Sequence, residues 1–169
     1  MLNNMSGRPV SVLFVCLGNI CRSPTAHGVL AHMVRKAGVE HLVRIESAGT
    51  GAWHIGSAPD ARTCEAAARR GYDLSAQRAR QVTPEDLRTF DLVLAMDRQN
   101  LANLRQLKSD NHGCGGEPQL FLEVFGERPG PLEMPDPYYG GADGFDHVLD
   151  LAEVACRNLL SYLQKTRLS

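Results

Sequence analysis

The sequence predicts an α/β fold in a single domain: a four-stranded parallel sheet flanked by helices on both faces. The chain has 169 residues, 43% hydrophobic and 22% charged, a composition that suits one globular domain with one substantial core. Short apolar, β-branched segments alternate with amphipathic segments of helical period, which is the pattern of strand–helix–strand units. No internal repeat, low-complexity tract or long linker divides the sequence, so the alternation belongs to one unit.

The first part of the chain predicts a strand, a helix and a second strand. Ser11–Val15 is almost wholly apolar and β-branched, as is typical of a strand covered on both faces. The next helix is expected to have Ser23 as its N-cap and Pro24 at its first position, and to end at Gly38. The second strand is predicted at Leu42–Ser47.

The rest of the chain continues the alternation. Helices are predicted at Pro59–Arg70, after Thr83, after Asp97 and at about Asp143–Gln164. Strands are predicted at Asp91–Ala95 and Gln119–Leu122. Ligands of such sheets bind beyond the carboxyl ends of the strands, so we expect a functional site in the loop that follows the first strand.

Charge and cysteine content exclude several classes of protein. The 18 basic and 19 acidic side chains give a net charge of −1, without the basic excess that nucleic-acid binding needs. No apolar run approaches the ~20 residues of a membrane helix, and the amino end lacks a secretory signal. The five cysteines are an odd number, which argues against a disulfide scaffold. We therefore expect a cytoplasmic protein without membrane insertion, although export without a signal peptide stays open.

The segment from Cys16 to Ser23 carries the clearest chemical signal. It reads Cys-Leu-Gly-Asn-Ile-Cys-Arg-Ser and connects the first strand to the start of a helix. Backbone N–H groups of such a loop and of the first helical turn converge on one point and bind an anion. Gly18 and Asn19 are residue types that tolerate the left-handed conformations such a loop requires. Arg22 adds a planar fork that can bind two phosphate oxygens.

Cys16 would lie at the floor of this anion site. The positive field should favour its thiolate, the nucleophilic form, and the Ser23 hydroxyl could stabilise that charge. A cysteine in a buried strand is usually an inert apolar residue, but here it stands at the strand exit ahead of the anion loop. The loop is not a Walker-type phosphate loop, because no Gly-Lys-Ser/Thr follows. A zinc site is also disfavoured, because Cys16 and Cys21 are too far apart for a two-residue chelate turn.

A second candidate segment, Asp136-Pro-Tyr-Tyr, precedes the last predicted helix. A carboxylic acid there could protonate a leaving-group oxygen above the anion site. Asp-Pro alone is a common turn, but the adjacent Tyr138 and Tyr139 offer aromatic walls for an aryl group. Trp53, the single tryptophan, either joins those walls or packs in the core.

These residues resemble the low-molecular-weight protein tyrosine phosphatase family over about Pro9–Leu163. The most specific segment reads Val-Leu-Phe-Val-Cys-Leu-Gly-Asn-Ile-Cys-Arg-Ser-Pro-Thr-Ala, a pattern of that family and of its arsenate reductase relatives. Ser47-Ala-Gly-Thr, Met96-Asp97 and Asp136-Pro-Tyr-Tyr follow in family order. The resemblance implies a flavodoxin-like topology, with a phosphatase domain at residues 9–169 behind a flexible tail at residues 1–8.

The resemblance also implies a role for each candidate. Cys16 would be the nucleophile, Arg22 the phosphate clamp and Asp136 the general acid in hydrolysis of phosphotyrosine proteins, without metal or cofactor, by a monomer or weak oligomer. The implied phosphate-binding loop comprises Leu17, Gly18, Asn19, Ile20, Cys21, Arg22 and Ser23. The implied loop supports are Asn19, Ser23 and Ser47, and the implied pocket walls are Leu17, Trp53, Tyr138 and Tyr139. Cys21 would be the redox partner of Cys16.

Three alternatives fit the residues less well. Arsenate reductases of this group need extra redox cysteines well beyond the nucleophile, and residues 83–97 contain none. Arginine phosphatases of the family tend to carry threonine at the position of Ile20, whereas isoleucine and the tyrosine pair favour an aromatic phosphoester. A non-catalytic phosphotyrosine-binding protein would lack the nucleophile or the acid, and this chain has a candidate for both.

Two features lie outside this assignment. A basic stretch is formed by Arg62, Arg69, Arg70, Arg78 and Arg80. A solvated surface is the simpler interpretation of that stretch, and a docking surface for acidic phosphoproteins is the alternative. His27 and His32 are five residues apart on a predicted helix, so they do not form a ligand pair and are interpreted as ordinary helix residues.

Overall fold

Four parallel strands form the centre of the structure, a computed structural model that describes residues 7–138 and 140–168. The strands are β1 Val10–Cys16, β2 Val43–Gly49, β3 Leu92–Ala95 and β4 Gln119–Leu120. Their order in the sheet is β2-β1-β3-β4, and each neighbouring pair is parallel. This is the strand order of flavodoxin-like sheets, and it confirms the predicted fold class.

Helices cover both faces of the sheet. They are α1 Arg22–Lys36, α2 Ala61–Arg69, α3 Pro84–Thr89, α4 Arg98–Asp110, α5 Phe121–Phe125 and α6 Asp143–Thr166, with a short 3-10 turn at Glu40–Leu42. Successive β1 side chains point to opposite faces. Phe14 therefore packs in one core with Leu30 of α1 and Leu159 of α6. Val15 packs in the other core with Leu104 of α4.

β1 is the central strand, and each of its residues is buried because sheet neighbours and helices surround it. Its last residue, Cys16, is paired in register with Gly49 at the end of β2. β3 runs parallel on the other side and ends at Ala95. The loops that follow these three strands therefore begin at the same edge of the sheet, where the sequence predicts the functional site.

The predicted N-cap of α1 is wrong. The helix begins at Arg22, and the capping position is Cys21, whose side chain makes no capping hydrogen bond. The hydroxyl of Ser23 instead contacts the Cys16 sulfur and accepts a hydrogen bond from the Asn19 side chain. A serine before Pro can supply either kind of contact, and here the buried polar groups of the preceding loop compete successfully for its hydroxyl.

The fourth strand is shorter than predicted. β4 ends at Leu120, and the next two residues, Phe121 and Leu122, begin α5 instead of continuing the strand. Both side chains are almost completely buried. A short apolar run is compatible with a buried strand or a buried helix, and periodicity cannot separate the two over so few residues.

Other predicted helix signals are confirmed. Thr83 and Asp86 form a capping box at the start of α3, and the Asp97 side chain accepts a hydrogen bond from the Asn100 N–H at the start of α4. Gly38, with a φ of +73°, follows α1 and allows the chain to reverse there. Over residues 7–138 and 140–168, no helix has both the length and the apolar character needed to cross a bilayer.

Candidate active site

A cavity of about 340 Å³ opens at the carboxyl end of β1. Its walls are Cys16, Leu17, Gly18, Ile20, Cys21, Arg22, Trp53, His54, Asp136 and Tyr138. Three separate segments therefore meet there: the loop after β1, the loop after β2 and the loop before α6. Tyr139 lies outside the described residues.

The Cys16 sulfur is enclosed by potential hydrogen-bond donors. It lies 3.0 Å from the Ser23 hydroxyl oxygen, and the backbone N–H of Asn19 donates to it over 3.3 Å. The residue is only 3% exposed although it lines the cavity. A hydroxyl and an amide that face a sulfur atom stabilise negative charge on it, so this position suits a thiolate.

Asn19 holds the loop from its centre. Its backbone has a φ of +58°, which asparagine tolerates better than most residues. Its side-chain NH₂ donates to the hydroxyl oxygens of Ser23 and Ser47, each over 2.9 Å. Its side-chain oxygen accepts from the backbone N–H of Arg80 over 3.0 Å. One buried amide thus joins the loop after β1 to β2 and to the segment before α3.

The loop after β2 packs directly on residues 17–23, the predicted phosphate-binding loop or phosphate loop. Gly18 does not adopt a left-handed conformation as the sequence suggested; it provides space, because an added Cβ would lie 3.0 Å from Cδ2 of His54. The Gly51 N–H donates to the Leu17 carbonyl over 2.9 Å, and the Trp53 ring covers Gly51 so closely that a Cβ there would lie 1.9 Å from it. Trp53 is 73% exposed, so it is a wall of the cavity and not a core residue.

Arg22 is a buried guanidinium, 4% exposed, that connects the phosphate loop to the rest of the site. Its Nη1 donates to Asp97 over 2.6 Å and to the Met134 carbonyl over 3.1 Å, and its Nη2 lies 3.7 Å from a carboxylate oxygen of Asp136. Burial by itself would lower the pKa of Arg22, but Coulombic attraction to Cys16 and the bond to Asp97 outweigh it, so the pKa is raised. The guanidinium is permanently charged beside the sulfur.

Asp97 has a second role that the sequence analysis missed. One carboxylate oxygen accepts from the Asn100 N–H at the start of α4, over 2.7 Å, as the sequence predicts, and the other binds Arg22. A carboxylate just past the end of β3 lies at the same edge of the sheet as the phosphate loop. That position was readable from the sequence, but the pairing with Arg22 required the three-dimensional arrangement.

Gln77 is another contributor that sequence reasoning missed. Its side-chain oxygen accepts from the Ser47 hydroxyl over 3.4 Å, and its NH₂ donates to the Pro24 carbonyl over 3.1 Å. Gln77 therefore extends the hydrogen-bond chain that starts at Cys16 and runs through Ser47. The residue lies in an irregular segment between α2 and α3 and belongs to no recognisable motif.

Asp136 lies at the mouth of the cavity with 37% of its side chain exposed. Its Oδ1 accepts from the Tyr138 N–H over 3.0 Å. Asp136 therefore forms the turn expected of an Asp-Pro pair and also lines the cavity. Tyr138 is 38% exposed and forms the adjacent wall. The structure thus brings the predicted acid, the predicted clamp and the predicted nucleophile to one cavity.

The two cysteines of the loop differ in their environment. Burial raises the pKa of the Cys21 thiol to about 12, so this group is protonated at neutral pH. Only the thiolate form is a nucleophile. Of the two cysteines that line the cavity, Cys16 is therefore the candidate nucleophile, because it alone faces both the Ser23 hydroxyl and the Asn19 N–H.

The basic stretch is largely neutralised within the protein. Four of its five arginines pair with carboxylates: Arg62 with Asp60, Arg69 with Glu65, Arg70 with Glu153 and Arg80 with Asp86. The fifth, Arg78, donates to two backbone carbonyls. This arrangement supports a solvated surface and removes most of the positive field that docking of acidic phosphoproteins would need.

Comparison with known proteins gives a consistent result. The family model described as low molecular weight phosphotyrosine protein phosphatase matches residues 11–168. A low molecular weight protein-tyrosine-phosphatase of Streptomyces coelicolor is 42% identical over 154 residues, which is 91% of this chain and 93% of the relative. The relative YfkJ of Bacillus subtilis is 39% identical over 161 residues, which is 94% of this chain and 98% of the length of YfkJ.

The structural comparison agrees with the sequence comparison. The crystal structure of YfkJ from Bacillus subtilis superposes with a TM-score of 0.86 and 38% identity, covering 94% of this chain and 97% of that chain. The region matched by the family model contains the three segments that form the cavity and all of the sheet except Val10. One family accounts for the strand order, for the anion loop at the end of β1 and for the similarity over nearly the full length. The chain belongs to the low molecular weight phosphotyrosine protein phosphatases.

Proposed function

We propose that this protein is a protein tyrosine phosphatase that hydrolyses phosphotyrosine through a cysteinyl-phosphate intermediate. The observation that carries the proposal is the convergence of Cys16, Arg22 and Asp136 on one cavity at the carboxyl edge of the sheet. The names of the relatives, protein-tyrosine-phosphatases in both bacteria, support the same reaction. Each step of the proposed reaction uses side chains of this chain and water, and requires no cofactor.

In the first step the Cys16 thiolate attacks phosphorus in line with the bond to the tyrosyl oxygen. A sulfur–phosphorus bond forms, the phosphorus–oxygen bond breaks, and Asp136 transfers its proton to the departing oxygen. Arg22 and the loop N–H groups bind the equatorial oxygens, on which charge accumulates in the transition state. Nη1 of Arg22 is engaged by Asp97 and Met134, so Nε and Nη2 are the donors that can turn toward the phosphate.

In the second step water releases the phosphate. The Asp136 carboxylate takes a proton from the water, whose oxygen attacks phosphorus while the sulfur–phosphorus bond breaks. The sulfur leaves as a thiolate, and the Ser23 hydroxyl and the Asn19 N–H face it at 3.0 and 3.3 Å. The enzyme returns to its starting protonation state after one proton has moved each way through Asp136.

The walls of the cavity favour an aryl phosphate over other phosphate esters. Leu17, Trp53 and Tyr138 are apolar or aromatic, line the cavity and keep 39%, 73% and 38% of their surface exposed. They offer contact area to the ring of phosphotyrosine above the anion site. A solved structure named Drosophila arginine phosphatase is 29% identical with a TM-score of 0.81, so phosphoarginine is the second candidate substrate. The aromatic walls and Ile20 favour phosphotyrosine.

We also propose the domain bounds, location and substrate of the enzyme. The phosphatase domain spans residues 9–169, lies in the cytoplasm and acts on phosphotyrosine proteins. It does so as a monomer or weak oligomer. Cys21 lines the same cavity as Cys16 and is the proposed redox partner of the nucleophile. Mass spectrometry of the oxidised protein, by detection of a Cys16–Cys21 disulfide peptide, tests that pairing.

The decisive experiment removes the nucleophile. Cys16→Ser should lower turnover of p-nitrophenyl phosphate and of a phosphotyrosine peptide by about 10⁴-fold or more, as is typical for loss of a catalytic nucleophile. Cys114→Ser, which changes an exposed cysteine far along the chain, is the matched control and should retain full activity. Acid quenching of the wild type during turnover should trap one phosphoryl group on Cys16. Retained turnover in Cys16→Ser would refute the assignment.

A further inference from the structure

We propose that Arg62 is a positioning residue that holds the acid-bearing segment over the phosphate loop. This inference rests on the proposed function, because it concerns the placement of Asp136 as the acid. The acid-bearing segment is defined as residues 134–138, and Arg62 lies in the first turn of α2. Nothing in the sequence singled out Arg62 from the other arginines of the basic stretch.

One side of Arg62 is tied to the phosphate loop through Asp60. The Asp60 N–H donates to the Ile20 carbonyl over 2.8 Å, which fixes the start of α2 against the loop. The Asp60 carboxylate binds the guanidinium with both oxygens, over 3.1 Å to Nε and 3.0 Å to Nη2. It also accepts from the Arg62 N–H over 2.8 Å, as the N-cap of the helix. Such a two-point contact fixes the plane of the guanidinium.

The same guanidinium lies over the faces of two aromatic rings. Its Cζ lies 5.3 Å from the centroid of the Tyr138 ring and 4.8 Å from that of the Phe145 ring. Phe145 is buried in the first turn of α6, so it provides a fixed support. Tyr138 belongs to the acid-bearing segment, and its N–H donates to Asp136. Arg62 thus connects a rigid helix start to the turn that carries the acid.

The acid needs this support because its other neighbour holds it only loosely. The closest approach of Asp136 to Arg22 is 3.7 Å, beyond the range of a hydrogen bond. A contact chain from Ile20 through Asp60, Arg62 and Tyr138 to Asp136 supplies a second link between the two halves of the site. The charge of Arg62 is already balanced by Asp60, so orientation of the rings, and not attraction of substrate, is what this arginine contributes.

The test compares two leaving groups. Phenyl phosphate has a leaving oxygen that needs a proton to depart. Its kcat/KM should fall about fivefold in Arg62→Gln, which is the effect expected for loss of an exposed cation–π contact. For p-nitrophenyl phosphate, a better leaving group, the decrease should stay below about twofold. Arg69→Gln, on the same helix and paired with Glu65, is the matched control and should change neither value.

A second variant separates positioning from general stability. If Arg62 acts through the acid, adding Arg62→Gln to Asp136→Ala should cause no further loss, because the group that it positions is gone. An equal loss with both leaving groups, or an additive loss in the double variant, would overturn the proposal. These outcomes can be told apart from a failure of the proposed function, which would appear as retained turnover in Cys16→Ser. Thermal unfolding of each variant identifies any loss caused by misfolding.

Discussion

The phosphate loop and the acid-bearing segment form one cavity but are held in very different ways. In the loop, Asn19, Arg22 and Ser23 are at most 4% exposed and are joined to their surroundings by side-chain hydrogen bonds. In the segment, Met134 is buried and anchored to Met96, whereas the Asp136 side chain is 37% exposed and turns back to Tyr138. The site therefore combines a preorganised anion receptor with an acid on a less constrained turn.

This difference fits the chemistry of the two regions. Electrostatic stabilisation of a transition state requires donors that are already oriented, because reorientation during the reaction would cost free energy. A general acid that serves first as a donor and then as an acceptor of protons needs access to substrate and water. Variants in the loop should therefore reduce turnover of any substrate, and variants in the segment should show dependence on the leaving group.

After loss of the nucleophile itself, the largest expected effect comes from Arg22→Lys, which keeps the charge but removes the planar fork. We expect kcat for p-nitrophenyl phosphate to fall by about 10²–10³-fold, since a lost oriented donor to a developing oxyanion costs this much. Lysine also cannot reproduce the bonds to Asp97 and Met134 while it reaches the phosphate. Arg8→Lys, at the exposed pair with Asp91, is the control. A loss below tenfold would show that charge alone suffices.

Asp136→Ala changes the acid-bearing segment and should make the loss of activity depend on the leaving group. We expect kcat/KM for phenyl phosphate to fall by about 10²-fold or more, and that for p-nitrophenyl phosphate to fall less, because a good leaving group departs without a proton. Asp143→Ala, an exposed aspartate at the start of α6, is the control and should be neutral. An equal loss with both substrates would contradict the role as acid.

Asn19→Ala tests how much of the loop's rigidity depends on one side chain. The substitution removes the bonds to Ser23, Ser47 and the Arg80 N–H, so we expect about 2–3 kcal/mol less stability. Activity should fall about tenfold with every leaving group, because the donors to the phosphate are no longer fixed. Asn103→Ala, at a half-buried position of α4 whose side chain bonds to Gln99, is the control. Wild-type kcat in Asn19→Ala would show that the loop is rigid without it.

The smallest expected effect is a dependence of the free energy of unfolding on pH, caused by His27. His27 lies in the second turn of α1. Burial lowers its pKa to about 4, and its Nδ1 has no hydrogen-bond partner among the described residues. The unfolded chain therefore takes up a proton from pH 6.5 downward while the folded protein does not, so stability is lost as the pH falls toward 4. The loss should be on the order of 1–3 kcal/mol.

His27→Gln should flatten that pH dependence, measured as the urea midpoint at pH 7.5 and pH 5. His41→Gln, at an exposed histidine in the 3-10 turn, should leave it unchanged. The same slope in His27→Gln as in the wild type would show that other groups cause the acid sensitivity. The position of His27 on the helix was readable from the sequence, but its burial was not, because the apolar stripe of α1 does not mark it.

Much of the phosphate loop could be predicted, because its chemistry is written in consecutive residues. An anion site is specified over a few residues by a strand that is followed by a glycine, an asparagine, an arginine and the start of a helix. The structure places Cys16 and Arg22 in one cavity, as expected. For Ser23 the sequence predicts both a helix N-cap and a hydroxyl partner for the Cys16 sulfur. The second prediction agrees with the structure and the first is wrong, because packing directs the hydroxyl to Cys16 and Asn19.

The alternation of apolar segments and helix caps is a local property, and it was enough to establish the parallel α/β architecture and to locate the anion loop at the end of β1. Long-range contacts follow from topology instead: Asp97 meets Arg22, Gln77 meets Ser47 and Arg62 meets Tyr138 across large separations in the chain. No periodicity encodes such pairs, because side chains from different helices, strands and loops become neighbours only when the parallel strands bring their carboxyl ends to the same edge.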